Sequence, residues 1–287
     1  MTTYRTTVVD GLTIFYREAG SPDAPTLVLL HGIPAASHSY EGLISALAGR
    51  FHLIAPDFPG FGYSDSPDPK SFEYSFAHLA DFTAHFLQTL DITRFSLYVH
   101  DYGAPIGFRL AVKHPEWIET LIIQNGNAYE EGLASSFTPI REYWQGRTAS
   151  AEAAVATLLS RETIMYFYQH GTRHPEQINP DNFVLDEVNF QRPGNRTAQL
   201  DLFYDYRTNV QQYETWHNYF RQYQPPTLVV WGKNDPFFTV EGARAYGKDL
   251  KTIEMKFYDT GHYALEEDGH LIAEEIARFV PAHLVHA

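Results

Sequence analysis

The apolar positions of this chain follow two rhythms. Over the first 127 residues, short β-like runs trade places with stretches of helical spacing. Residues 4–9 and 12–19 alternate or are rich in β-formers, with Asp10-Gly11 between them, a pairing that favours a hairpin turn. The run TLVLL at 26–30 is almost continuously apolar, as in a strand buried on both faces. It stops at His31-Gly32-Ile33-Pro34, and helical spacing follows at Leu43, Ile44 and Leu47. Residues 51–55 read as a strand with a turn-rich exit, 76–90 as a helix and 96–99 as a strand. A helix then begins near Pro105, and 118–124 is the next strand. Such alternation predicts a mainly parallel sheet with helices on both faces.

From about 128 to 224 the alternation gives way to helical, aromatic-rich sequence, as at 151–159, 162–169 and 200–206. A buried strand returns at 227–231, the last strand spans 253–258, and 270–280 reads as a closing helix. The pattern predicts a sheet domain, residues 1–127 and 225–287, interrupted by one helical insertion, 128–224.

Composition narrows the function. With 44% hydrophobic and 20% charged residues in 287, the chain has apolar side chains enough for a packed core. The formal net charge of −14 repels nucleic acid and anionic membrane, so neither is expected as a partner. There are no cysteines, which excludes disulfides, thiolate catalysis and zinc–thiolate sites, and the 14 His are scattered without a metal-binding pair. No metal or other cofactor is expected. The first twenty residues lack an apolar core of signal-peptide length, and no apolar run approaches a membrane span. The expected location is the cytoplasm.

The chemistry centres on FSLYVHDYGAPIG, residues 95–107, where a strand turns abruptly into a helix around Asp101. This is the setting of a nucleophile elbow, although Asp is also a common helix N-cap. Open sheets of this kind bind ligands at the carboxyl ends of their strands. His31, Asp235 and His262 stand at other strand ends. Asn234-Asp235-Pro236 also suits a plain turn, and His262 an ordinary loop. The order Asp101, Asp235, His262 is nonetheless that of nucleophile, acid and histidine in a catalytic triad. A carboxylate attacks saturated carbon and leaves an alkyl ester of itself. A helix N-terminus would keep it ionised.

These motifs resemble the α/β-hydrolase fold in its aspartate-nucleophile branch, which holds haloalkane dehalogenases, fluoroacetate dehalogenases and epoxide hydrolases. The resemblance covers nearly the whole chain. It implies a mostly parallel eight-stranded sheet with helices on both faces and an inserted helical cap. It implies Asp101 as nucleophile, His262 as base and Asp235 as orienting acid. Ile33, in an H-G-x-P turn, and Tyr102 would supply the oxyanion hole from their backbone N–H groups. His31, Pro34 and His100 would line the substrate side.

The leaving group separates the subfamilies. Haloalkane dehalogenases carry Trp after the nucleophile and often Asn within H-G-x-P, where this chain has Tyr102 and Ile33. Fluoroacetate dehalogenases carry Arg after the nucleophile. Epoxide hydrolases present cap tyrosines, or a cap His with a Tyr, to the epoxide oxygen. Tyr206, in Asp205-Tyr206-Arg207, matches the second donor, and Tyr168, then His170, are read as the first. Val99 and Gly107-Phe108 look more like a dehalogenase elbow. The resemblance thus implies a hydrolase that opens a small apolar epoxide, with water as co-substrate. Haloalkane or haloacid dehalogenation and ester or lactone hydrolysis are the alternatives. A non-catalytic binding protein would not need Asp101, Asp235 and His262 together.

Overall fold

The computed structural model describes residues 1–284. Its strands are β1 (Thr3–Val9), β2 (Leu12–Ala19), β3 (Thr26–Leu30), β4 (His52–Pro56), β5 (Phe95–His100), β6 (Ile118–Gln124), β7 (Thr227–Gly232) and β8 (Ile253–Tyr258). They form one eight-stranded sheet in the order β1-β2-β4-β3-β5-β6-β7-β8. The pairs β1–β2 and β2–β4 are antiparallel, and the rest are parallel.

The nearly unbroken apolar runs of the central strands follow from burial on both sides. Successive side chains on a strand point to opposite faces. Val28, Leu30, Leu97, Val99, Leu121, Ile123, Val229 and Trp231 enter one core, while Leu27, Leu29, Tyr98, Ile122, Leu228 and Val230 enter the other. Helices α1 (Glu41–Leu47) and α11 (Leu265–His283) close the second face through Leu43, Ile44, Leu47, Ile272, Ile276 and Phe279. Helices α2 (Phe76–Thr89) and α3 (Gly103–Lys113) close the first, with Leu79, Phe86, Ile106 and Leu110 at helical spacing. Ser75 caps α2 by accepting the His78 N–H, which sets where that helix starts.

Between β6 and β7 the described chain is helical: α4 (Thr138–Gln145), α5 (Ala149–Ala156), α6 (Arg161–Gln169), α7 (Pro180–Phe190), α8 (Asn195–Asp205) and α9 (Arg207–Tyr223), with short 3₁₀ turns. Helix α10 (Val240–Ala245) follows β7. Phe137, Tyr143, Phe167, Phe203 and Trp216 from this stretch share one core with Val99 and Leu30 of the sheet. The aromatic helical stretch therefore packs against the sheet. Among the described residues no helix is long and apolar enough to cross a membrane.

One element boundary differs clearly from expectation. The closing helix begins at Leu265, with non-helical backbone at Asp268. Its acidic first turn, Glu266 to Asp268, hides the apolar rhythm there. Helix α9 runs for 17 residues, yet only Asn209, Tyr213, Trp216, Tyr219 and Phe220 are buried, so its periodicity is carried by few aromatics among polar neighbours.

The start of α3 depends on one close approach. A methyl group at Gly103 would land on the backbone carbonyl of Leu30 in β3. Backbone cannot retreat as a flexible side chain does, and overpacking of this kind costs about 1–3 kcal/mol. Gly103→Ala is expected to lower Tm by roughly 2–12 °C. A thermal scan that matches wild type would contradict this packing.

Candidate active site

The elbow follows from local chain geometry. Strand β5 ends at His100 and α3 starts at Gly103. The intervening reversal puts Asp101 at φ +50°, a region that non-glycine residues rarely occupy. Such strain costs of order 1–3 kcal/mol and persists only where the surroundings enforce it. Here they do: Gly32 presses on the Asp101 side chain so closely that a Cβ would overlap it. Asp101 is 4% exposed.

The fold brings three distant side chains together. The Asp101 Oδ2 lies 3.8 Å from His262 Nε2, and His262 Nδ1 is 2.8 Å from Asp235 Oδ2. Asp235 is fixed in turn: its Oδ1 accepts the Phe237 N–H at 2.7 Å, and its Oδ2 accepts Asn125 Nδ2 at 2.7 Å. Asn125, at φ +40°, also exchanges two hydrogen bonds with the Gly232 backbone. The Nδ1–carboxylate bond directs Nε2 toward Asp101, and Nε2 has no other protein partner. The second oxygen of the nucleophile candidate, Oδ1, accepts the Ile33 N–H at 2.8 Å, and the Tyr102 N–H also bonds this carboxylate. One oxygen, Oδ1, is thus held by the Ile33 amide, while Oδ2 is the one nearest His262.

Burial sets the electrostatics. It raises the Asp101 carboxyl to about 6, against the lowering influence of His262 and the two backbone amides. The helix terminus therefore does not keep the group as acidic as expected, because desolvation is the larger effect. For His262, burial pulls the value down, but the Asp235 charge and hydrogen bond, with Asp101, outweigh it and the net direction is up.

Aromatic rings surround the triad. Phe167, Phe237 and Phe238 have ring centroids 5.9, 5.6 and 5.9 Å from that of His262. Tyr206 is buried between Phe76 at 5.6 Å, Phe137 at 5.2 Å and Trp144, on which it stacks at 6.0 Å. Burial pushes the Tyr206 and Tyr102 phenols well above the ordinary tyrosine value, with Tyr213, which Tyr206 hydrogen-bonds, and then Asp101 adding to Tyr206, and Asp101 and Asp205 adding to Tyr102. Both remain protonated donors at neutral pH. The Tyr102 hydroxyl is buried with no protein partner. Nearby, the Asp205 carboxylate accepts the Phe76 N–H at 2.8 Å and ties α8 to the start of α2.

Four expected site residues sit elsewhere. Tyr168 is buried with its hydroxyl donating to Asp186 at 2.7 Å, so it is a packing residue of the insertion. His170 is exposed and lies against Tyr166 at the end of α6. Residues two apart on a helix diverge, and neither one presents its polar end to Asp101. His31 lies behind the turn: Nδ1 donates to the Gly32 carbonyl at 3.0 Å and Nε2 accepts the Phe58 N–H at 3.2 Å. Burial lowers it to about 4 and keeps it neutral. His100 packs behind His262, its Nε2 3.2 Å from the His262 carbonyl, which Gln124 also holds. Both histidines shape the backbone rather than a substrate wall. Pro34 is buried within the same turn. Sequence reasoning did not find Tyr102 as a side-chain donor, nor Asn125 as the anchor of Asp235. Among the described residues no three His, Asp or Glu side chains converge as a metal site.

The chain is similar to known proteins. The family model described as "alpha/beta hydrolase fold" matches residues 25–269. An uncharacterised hydrolase of Saccharomyces cerevisiae is 42% identical over 273 residues, 94% of this chain and 93% of that protein. A haloalkane dehalogenase of Psychrobacter cryohalolentis is 35% identical over 291 residues, 94% of this chain and 88% of the relative. The solved structure of the epoxide hydrolase CorEH superposes with a TM-score of 0.80 at 18% identity, over 98% of this chain and 99% of that one. The chain belongs to the alpha/beta hydrolase family.

Proposed function

We propose that this hydrolase opens a small apolar epoxide through an ester on Asp101, with residues 128–224 acting as a cap over the core formed by 1–127 and 225–287. The observation that supports this reading best is a pair of buried tyrosines after the nucleophile candidate: the Tyr102 hydroxyl is buried with no protein partner, and the Tyr206 ring lies 6.2 Å from the Tyr102 ring. An epoxide leaves as a strongly basic alkoxide and needs such donors.

In the first step Asp101 Oδ2 attacks an epoxide carbon, the carbon–oxygen bond breaks, and the alkoxide takes the Tyr206 proton. That phenolate regains a proton as the product leaves. In the second step His262 Nε2 removes a proton from water as the oxygen adds to the ester carbonyl carbon. Charge then gathers on Oδ1, which the Ile33 amide already holds, with the Tyr102 amide also bonded to this carboxylate. Collapse breaks the bond between that carbon and Oδ2, the imidazolium returns its proton to the departing oxygen, and a diol leaves. Esterification also removes the Asp101 charge, one of the influences that raise His262, while the larger Asp235 charge and hydrogen bond stay in place. Asp235 stabilises the imidazolium between these events.

The walls match an apolar substrate, with Phe167, Phe237 and Phe238 around His262. Arg109 is held by Asn209, Thr208 and the Pro105 carbonyl, so a haloacid carboxylate finds no partner in it. Dehalogenation is the second reading, favoured by the 35% identity to a haloalkane dehalogenase and by the unpartnered Tyr102 hydroxyl. A halide needs a donor but no proton.

Three outcomes test the reading. His262→Gln is expected to stop the second step, so that styrene oxide leaves an adduct of its own mass on the peptide holding Asp101. In wild type, a single turnover in heavy-oxygen water should label Asp101 and leave the first diol unlabelled. Activity that survives Asp101→Ala would overturn the ester route.

The pH dependence has a defined sign. Asp101 attacks only as a carboxylate, and its value near 6 means that ester formation is complete above about pH 7 and is lost as the pH falls through about 6. Stopped-flow rates that stay flat down to about pH 4 would show an ordinary carboxyl.

Tyr206→Phe removes the proposed acid while keeping the ring. Ester formation from an epoxide should fall by about a hundredfold, or less if Tyr102 shares the oxygen, in which case the double variant is inactive. Efficient halide release from 1-halobutanes by wild type, with epoxide alkylation unchanged in both variants, would transfer the protein to the dehalogenase reading.

A further inference from the structure

The residue after the histidine reaches back across the site. Tyr263 is 2% exposed, and its hydroxyl donates to the Ile33 carbonyl at 3.0 Å. The Ala35 amide bonds the same hydroxyl. One phenol thus bridges both sides of Pro34, in the turn that carries the oxyanion donor. Ile33 presents its N–H to Asp101 Oδ1 at 2.8 Å and its carbonyl to Tyr263. The two groups flank one Cα. Fixing the carbonyl removes the freedom of ψ at Ile33 and leaves the amide little room to swing.

The Tyr263 ring is itself braced. It stacks on Tyr168 at 4.1 Å and 13°, and Tyr168 donates to Asp186 of α7 at 2.7 Å. The other Asp186 oxygen lies 3.4 Å from His38 Nε2, which belongs to the turn just after the oxyanion loop. The loop is therefore held from the triad side by the Tyr263 hydroxyl, and the Tyr263 ring is braced by Tyr168 of the helical stretch.

We propose that Tyr263 is a positioning residue for ester hydrolysis, its hydroxyl holding the Ile33 amide where the oxyanion forms. The inference rests on the Asp101 ester mechanism proposed above. It predicts unequal effects on the two steps. In ester formation the Ile33 amide faces an oxygen that is losing charge, so a rigid donor gives no advantage. In hydrolysis the same oxygen gains a full charge as water adds to the carbonyl carbon and His262 takes the proton, so the donor must already be in place.

The test compares both rates in Tyr263→Phe, which keeps the ring stack and loses only the hydroxyl. With styrene oxide as probe, single-turnover ester formation should stay within about twofold of wild type. Ester hydrolysis should slow on the order of tenfold, less than the roughly hundredfold or more for outright removal of an oxyanion donor. The pH midpoint of hydrolysis, which reports His262, should not move. Equal slowing of both steps would indicate general damage, and a shifted midpoint would indicate a displaced His262; each overturns the proposal, as does unchanged hydrolysis. Tyr263→His, whose ring is shorter and does not reach the carbonyl, should give the same split if the Phe variant fails to fold. If wild type forms no ester at all, the Asp101 mechanism fails first, and that result is distinct from any change in the variant.

Discussion

Asp101 stands at φ +50° because three backbone segments meet within van der Waals distance of it: the end of β5, the Gly32 turn after β3, and the first turn of α3 over the Leu30 carbonyl. The site depends on that crowding. A non-glycine residue relaxes out of the left-handed region unless its neighbours forbid it, and here two glycines supply the room that lets those neighbours close in. The reversal then does two things at once. It lifts the carboxylate off the strand end toward His262, and it aligns the Tyr102 amide with that of Ile33 on the other side.

Once the carboxylate is buried, its surroundings tune it in opposite directions. Desolvation pushes it up to about 6 while His262 and the backbone amides pull it down. The compromise leaves an ionised but poorly solvated carboxylate at neutral pH, which is a better nucleophile than one in water. The base is raised in part by the same charge, with Asp235 the larger influence.

The helical stretch between β6 and β7 is bound into the molecule by its apolar side chains, which enter the same core as the sheet. Polar ties join it to the rest of the molecule at several points, among them Asp205 to the Phe76 amide, Arg192 to the Gly62 and Ser64 carbonyls, Asn182 to Glu266, and Arg173 to Asp268. Its Phe167 packs beside His262, and the same burial raises the Tyr102 and Tyr206 phenols further above the ordinary tyrosine value.

Much of this was legible in the residues alone. The runs at 26–30, 96–99, 118–124, 227–231 and 253–258 are strands because burial on two faces admits few polar side chains, and that leaves a signal in any window. The order of Asp101, Asp235 and His262 at strand ends also stands in the sequence, since a parallel sheet places those ends on one side. Helix faces were less legible. Tyr168 and Tyr206 look alike as aromatic residues in helical sequence, and only packing decides that one phenol meets Asp186 while the other lies among Phe76, Phe137 and Trp144 and bonds Tyr213. The same holds for His31 and His100, whose rings turn behind the backbone they support. Most distant from the sequence is the link from Tyr263 to Ile33, 230 positions apart. Local pattern determines which segments become strands and helices, because it is set by neighbours a few residues away. The direction of a given hydroxyl or imidazole is set by whatever arrives from elsewhere in the chain, and only the tertiary structure decides that.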